Sequence, residues 1–232
     1  MPSPVSPPYI VAEALQQVLD PGSTALRAGP MAPLAAVARA IAGSLLPAEA
    51  EVSPPVWLWQ SQQGHFRRAV HALTHHGGAL LAPPVGSGKT WIALALARHF
   101  NGDAATVVLA PAPLLAHWRR TAVTLGMRVE VLSHTKASRG SLPLGAGLVI
   151  IDESHHFRNP LTRRYATVAP WLLGRRAILL SATPVVNRLD DLGAQLRLAV
   201  RDDALAASGI GSLSLLLSSG LGHPALSDLV IA

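Results

Sequence analysis

An α/β fold, with a mostly parallel sheet flanked by helices, is what this 232-residue sequence predicts. Three observations carry the prediction. Short apolar runs alternate along the chain with longer amphipathic stretches. The apolar runs are nearly continuous, as in strands buried on both faces. The composition, 50% hydrophobic but only 4% aromatic, builds a core from Ala, Leu, Val and Ile, which belongs to a globular chain. Strand–helix alternation implies right-handed crossovers and parallel strands.

Residues 1 to about 55 are rich in Pro and Ala and read as an N-terminal appendage, helical or irregular, with two weak helical patterns. One spans Val11–Leu19 and stops at Asp20-Pro21-Gly22; the other spans Leu34–Leu46 and stops at Pro47. Trp57 through Leu73 reads as a helix ended by Gly77-Gly78. The strand candidates are GALLAP (78–83), TVVLAP (106–111), RVEVLS (128–133), GLVIID (147–152) and RAILLS (176–181). Helical stretches lie at Thr90–Phe100, Leu114–Leu125, Thr162–Leu173 and Leu189–Val200. After Asp202-Asp203 the chain is punctuated by Gly and Ser and closes on an apolar run. Ligands of such sheets gather beyond the carboxyl ends of the strands, where every motif below falls.

The formal charge of +6 favours polyanionic partners. The absence of cysteine removes disulfides, zinc–thiolate sites and thiol nucleophiles. No basic region precedes an apolar stretch at the N-terminus, and no window approaches the roughly 20 apolar residues of a membrane span. The expectation is a soluble, cytoplasmic chain with no membrane partner.

GALLAP, then PVGSG, then KTWIALALARHF is strand, tight loop and helix, the context a phosphate loop requires. Pro84, Val85, Gly86, Ser87 and Gly88 form the loop. The glycines let backbone amides converge on phosphates at a helix N-terminus. Lys89 can reach the terminal phosphates and the Thr90 hydroxyl can ligate magnesium. The usual first position of G-x-x-x-x-G-K-[ST] is here Pro83 rather than Gly. Downstream, LVIIDESHH sets Asp152 and Glu153 just past a strand. There an Asp can hold magnesium through water while the next carboxylate polarises an attacking water. Opposite strand parity would aim the two apart. A nucleotide hydrolase using ATP and Mg2+ follows.

Asp152-Glu153-Ser154-His155 resembles the D-E-x-H signature of superfamily 2 helicases and translocases, the DEAD/DEAH-box class. VVLAPAPLLAHW (107–118) looks like motif Ia of its Swi/Snf-like, double-stranded DNA translocase branch. DESHHFRN (152–159) resembles that branch's D-E-A-H-x-x-[KR]-N, with Arg158 and Asn159 as the final pair. LLSATPVVNRLDDL (179–192) is similar to its motif III with the trailing T-P-x-x-N, through Ser181, Ala182, Thr183, Pro184 and Asn187. WLWQSQQGHF is similar to the glutamine motif that reads adenine, with Gln62 the best placed. The matches run in family order over about residues 58–195, and the family's first phosphate-loop position is itself often not Gly.

The resemblance implies a RecA-like P-loop NTPase lobe over residues 56–203, after the 1–55 appendage and before a 204–232 tail leading toward a second lobe. It implies that Gln62 contacts adenine, that Gly86, Gly88, Lys89 and Thr90 hold phosphates and magnesium, and that Asp152 supports the metal. Glu153 would activate water; His155 with Ser181, Ala182 and Thr183 would couple hydrolysis to movement. Motif Ia, around Pro111 and Ala112, would face the nucleic acid, expected to be double-stranded DNA. The adjacent Arg119 and Arg120 are candidates for phosphate contact. The family needs two such lobes, the second carrying an arginine finger worth roughly 10³–10⁵ in turnover in related phosphoryl-transfer systems. The expectation is weak activity alone, the second lobe being supplied by a partner chain or lost by truncation.

Other signals are weaker. His65, His71, His75 and His76 cluster, two of them one helical turn apart, but no third zinc ligand is evident. The five tryptophans are scattered and read as packing anchors. The competing reading is a non-catalytic nucleotide- or DNA-binding module or gene fragment. A kinase or transporter ATPase would need an arginine-bearing lid or an L-S-G-G-Q-like signature, and neither occurs.

Overall fold

A computed structural model describes residues 49–101, 106–185, 189–219 and 223–232. The helical patterns at 11–19 and 34–46, and Asn187, lie outside the described residues. All five apolar runs form strands, each one or two residues shorter than its run: β1 Gly78–Leu81, β2 Thr106–Ala110, β3 Val129–Ser133, β4 Leu148–Ile151 and β5 Arg176–Leu180. The trimmed residues, among them Ala82-Pro83, Pro111 and Asp152, belong to the turns. A short strand in the tail, β6 Val230–Ile231, was not foreseen. The sheet order is β3-β2-β4-β5-β1-β6, and every pairing is parallel.

The helices are α1 Gln60–His76, α2 Lys89–Asn101, α3 Leu115–Thr124, α4 His134–Ala137, α5 Arg163–Leu172, α6 Leu189–Ala199 and α7 Leu213–Ser218. Helix α1 starts later than its sequence pattern because Val56–Leu58 turn, with the Leu58 amide donating to Pro55 O at 3.0 Å. It runs on to His76 and ends at Gly77, whose φ of 80° only glycine adopts at little cost.

Alternation along each strand divides the interior in two. Ala79, Leu81, Val108, Ala110, Leu148, Ile150, Ile178 and Leu180 pack under α1, α2 and α3. Leu80, Val107, Leu109, Val149, Ile151, Ala177 and Leu179 pack under α4 to α7. This is why β1, β2 and β4 read as nearly unbroken apolar runs: neither face meets water, whereas β3 at the sheet edge exposes Glu130. Gly78 permits a close approach, since a Cβ there would lie 2.3 Å from Ala199 O at the end of α6.

The tail, expected to lead toward a second lobe, also contributes to this one. Leu205, Ile210, Leu213, Leu217 and Leu229 are buried in the second core, and β6 lies against β1 with Ile231 fully covered. Among the described residues, no helix is long and apolar enough to cross a membrane.

Candidate functional site

Four turns leave the carboxyl ends of neighbouring parallel strands at one edge of the sheet: the glycine loop after β1, the Pro111 turn after β2, the acidic turn after β4 and the Ser181 segment after β5. In the glycine loop, Gly86 and Gly88 have φ of 84° and 81°. Pro84, Val85 and Gly86 are exposed; Ser87, Gly88, Lys89 and Thr90 are half-buried. Neither the amides of Gly86, Gly88, Lys89 and Thr90 nor the Thr90 hydroxyl donates a hydrogen bond among the described residues. Those amides surround the N-terminus of α2, whose positive end adds to their attraction for an anion. The Lys89 ammonium donates to the carbonyl oxygens of Pro83 (2.8 Å) and Pro84 (3.1 Å). Burial lowers its pKa, opposed by the carboxylates of Glu153 and Asp152 across the site.

Gln62 is buried, and both ends of its amide are engaged. Its Oε1 accepts from the Trp59 amide at 3.1 Å and its Nε2 donates to Ser87 O at 3.0 Å. It therefore tethers the glycine loop to α1. Packing there is so close that a Cβ on Gly88 would fall 2.2 Å from Gln62 Nε2. The geometry is that of a loop support; an adenine contact would have to use the remaining lone pair and proton of a nearly covered amide.

The acidic turn differs from the parity expectation. Asp152 already lies past β4, and Glu153 takes φ 49° and ψ 51°, the one non-glycine residue with positive φ among those described. This left-handed conformation costs about 1–2 kcal/mol for an L-residue, and both carboxylates act electrostatically on Lys89. Asp152 Oδ1 accepts from the Glu153 amide at 2.9 Å and Oδ2 from Trp118 Nε1 at 2.8 Å. Burial raises the Asp152 pKa, with the Trp118 hydrogen bond the main opposing influence. Each oxygen keeps a lone pair, so the carboxylate retains capacity for a cation.

His155 Nδ1 stands 3.2 Å from Glu153 Oε2 and 3.3 Å from Ser181 Oγ. The Ser181 amide donates to Leu81 O (3.1 Å), and its Oγ accepts from the Thr183 amide (3.1 Å). Because β5 lies between β4 and β1, Ser181 bridges the acidic turn and the strand that launches the glycine loop. Ala182 is half-buried beside it and Thr183 is exposed. A second link escaped sequence reasoning. Ser154 Oγ donates to Gln195 Oε1 at 2.8 Å, while Gln195 Nε2 donates to Pro184 O (2.6 Å) and Asp191 O (3.0 Å). Nothing in a local pattern marks a polar residue within an amphipathic helix as such a clamp. Trp118 was read as a packing anchor alone; its contact with Asp152 adds to that.

After β2, Pro111 caps a single 3-10 turn, Ala112–Leu114, that runs directly into α3. Ala112, Arg119 and Arg120 are exposed, although Arg119 also donates to Val131 O at 3.1 Å. Arg158 and Asn159 serve the turn itself: Arg158 Nη1 donates to His155 O (3.4 Å) and Asn159 Oδ1 accepts from the Leu161 amide (2.9 Å). At the opposite edge of the sheet, a cavity of about 690 Å³ is ringed by Arg175, Arg176, Arg197 and Arg201. Arg175 donates to the carbonyl oxygens of Trp171 and Leu144, and Arg197 to Ser214 Oγ. These cations thus serve the protein's own acceptors, at the negative ends of α5 and α6.

Residues 129–204 match the model of the SNF2-related domain family. The chain is 29% identical over 153 residues to a SWI/SNF-related matrix-associated actin-dependent regulator of chromatin subfamily A-like protein 1 of Bos taurus, covering 56% of this chain and 16% of that protein. It is 30% identical over 140 residues to the uncharacterized ATP-dependent helicase YqhH of Bacillus subtilis, covering 50% of this chain and 25% of that protein. The chain thus spans a quarter or less of the length of these two relatives. The fold is similar to that of the Sulfolobus solfataricus SWI2/SNF2 ATPase core solved in complex with dsDNA, with a TM-score of 0.54 at 17% identity, over 81% of this chain and 46% of that one. Family model, relatives and parallel-sheet architecture agree in their likeness: this chain is similar to a SNF2-like helicase lobe.

Proposed function

We propose that this chain is the ATP-binding lobe of a DNA-dependent ATPase of the translocase type, coupling ATP hydrolysis to movement on duplex DNA together with a second RecA-like lobe. The observation that carries the reading is the meeting, at one sheet edge, of unpaired loop amides, Lys89, the Asp152–Glu153 pair and the His155–Ser181 contact. The relatives, named as an ATP-dependent helicase and a chromatin regulator, and a neighbour solved with dsDNA support it.

In this reading the glycine-loop amides and Lys89 bind the phosphate chain. Lys89 exchanges the Pro83 and Pro84 carbonyl oxygens for phosphate oxygens, a favourable trade for a partly desolvated ammonium. The donor set fits Mg2+, a hard cation that takes oxygen ligands: the free Thr90 hydroxyl and the Asp152 carboxylate would hold it. Mg2+ when bound neutralises phosphate charge and acts as a Lewis acid on the transferring phosphoryl group. Glu153 orients and polarises the attacking water, and His155, shared between Glu153 and Ser181, carries the state of the turn to the Ser181–Thr183 segment. Gln62 holds the loop in register. Pro111, Ala112, Arg119 and Arg120 offer a surface for the DNA backbone.

The test is a calorimetric titration of ATP–Mg2+ into wild type and Lys89→Ala, with and without duplex DNA. The expected result is binding that is lost in Lys89→Ala and tightened by DNA. Equal, negligible binding by both proteins even with DNA would refute the reading.

A further inference from the structure

We propose that Trp118 is a positioning residue for the metal site, its indole N–H setting the Asp152 carboxylate in the orientation that receives Mg2+. The inference rests on the functional reading above and assigns a role to a side chain outside the residues that hold nucleotide and metal there. Trp118 lies on α3 and is fully buried in the first core. Its Nε1 donates to Asp152 Oδ2 at 2.8 Å across 34 residues of sequence.

The terminal torsion of an aspartate is broad and roughly two-fold, so a carboxylate held at one oxygen still swings. Asp152 is held at both. The donor on Oδ1, the Glu153 amide, belongs to the same turn and moves with it. The donor on Oδ2 comes from a different element and is anchored by a side chain with no freedom to follow. Trp118 therefore ties the carboxylate plane to the framework of the sheet. Packing alone would be served by Phe; the indole N–H is what a buried tryptophan must satisfy, and here it is satisfied by the carboxylate. Hydrogen-bond partners of metal-ligating carboxylates typically contribute 10–100-fold in metal affinity.

The same helix presents Arg119 and Arg120 to solvent at the next two positions. A rigid side chain thus joins a basic outer surface to the metal ligand within one turn of helix.

The experiment follows ADP binding against Mg2+ concentration by calorimetry in wild type, Trp118→Phe, Asp152→Asn and the double variant. The expected result is that Trp118→Phe needs about tenfold more Mg2+ for half-maximal tightening of ADP, while Mg2+-free ADP binding is unchanged. In the Asp152→Asn background Trp118→Phe should then add nothing. A merely structural loss would weaken Mg2+-free binding and persist in that background, and an unchanged Mg2+ requirement would equally overturn the proposal. If wild type binds no ADP at any Mg2+ concentration, the functional reading fails separately. The inference is then decided by Mn2+ alone, through paramagnetic broadening of the Trp118 indole resonance. Broadening that Asp152→Asn abolishes supports it, and a resonance unmoved by Mn2+ refutes it.

Discussion

Ser154 and Gln195 form a buried polar pair whose energetics can be worked from its contacts. Ser154 stands where the Swi/Snf-like pattern D-E-A-H has Ala. Both side chains are fully covered, and the pair is saturated: the serine hydroxyl donates to Gln195 Oε1, whose Nε2 protons go to Pro184 and Asp191 carbonyl oxygens. Ser154→Ala leaves Oε1 buried without a donor, a loss of about 1–3 kcal/mol. Gln195→Leu orphans the serine hydroxyl and removes the donor to two carbonyls, with a loss of similar size. Replacing both partners by apolar groups of similar shape can be nearly neutral, so the double variant should be more stable than the two single losses sum to, by about 1–2 kcal/mol. Urea denaturation of all four proteins reads this as midpoints at unchanged slope. Each kcal/mol corresponds to roughly 2–4 °C in melting temperature for a chain of this size. Additivity within about 0.5 kcal/mol would show that the hydroxyl and amide are not coupled, and the clamp between the acidic turn and Pro184 would fall with it.

Two further outcomes are expected. Glu153→Gly should relieve the left-handed strain at φ 49° and stabilise the fold by up to about 1 kcal/mol, less the added freedom of glycine in the unfolded chain. It should also abolish whatever ATP hydrolysis the wild type shows; a destabilised variant would contradict the strain argument. His134 is buried against His156 and Phe157 with an unpartnered Nε2, and burial, reinforced by Arg164 and His156, lowers its pKa from 6.5 to about 4. The folded state therefore binds fewer protons than the unfolded one between those values. The residue's contribution is complete above pH 6.5 and is lost as pH falls toward 4, by at most about 3 kcal/mol. His134→Phe should flatten the difference in stability between pH 7 and pH 5 by about 1–2 kcal/mol in denaturant titrations, and an unchanged pH profile would refute the assignment.

The strands, most of the helices and the chemistry-bearing turns were legible because each has a local cause. A strand covered on both faces must be apolar at nearly every position, so TVVLA and LVII declare themselves without context. Gly86, Gly88 and Gly77 mark backbone conformations that other residues resist, and Pro111 marks the start of a turn. Asp152 and Glu153, charged residues at the end of an apolar run, can only lie where the strand leaves the core.

Other features had no local signal. Strand β6 is two residues long, too short for any periodicity, and exists because β1 offers an open edge. The placement of β5 between β4 and β1 is a property of the whole sheet, and it alone brings Ser181 to His155. Strand parity was expected to separate Glu153 from Asp152, but both lie past the end of β4, where Glu153 takes a left-handed turn that no local pattern marks. Trp118 meets Asp152, and Gln195 meets Ser154, across 34 and 41 residues. By itself the sequence determined which residues are apolar, which turn and which carry charge at a strand end, since backbone sterics and burial act over a few neighbours. Only the tertiary structure decided which donor meets which acceptor, because a hydrogen bond between distant side chains depends on strand order and helix packing, which no window of sequence contains.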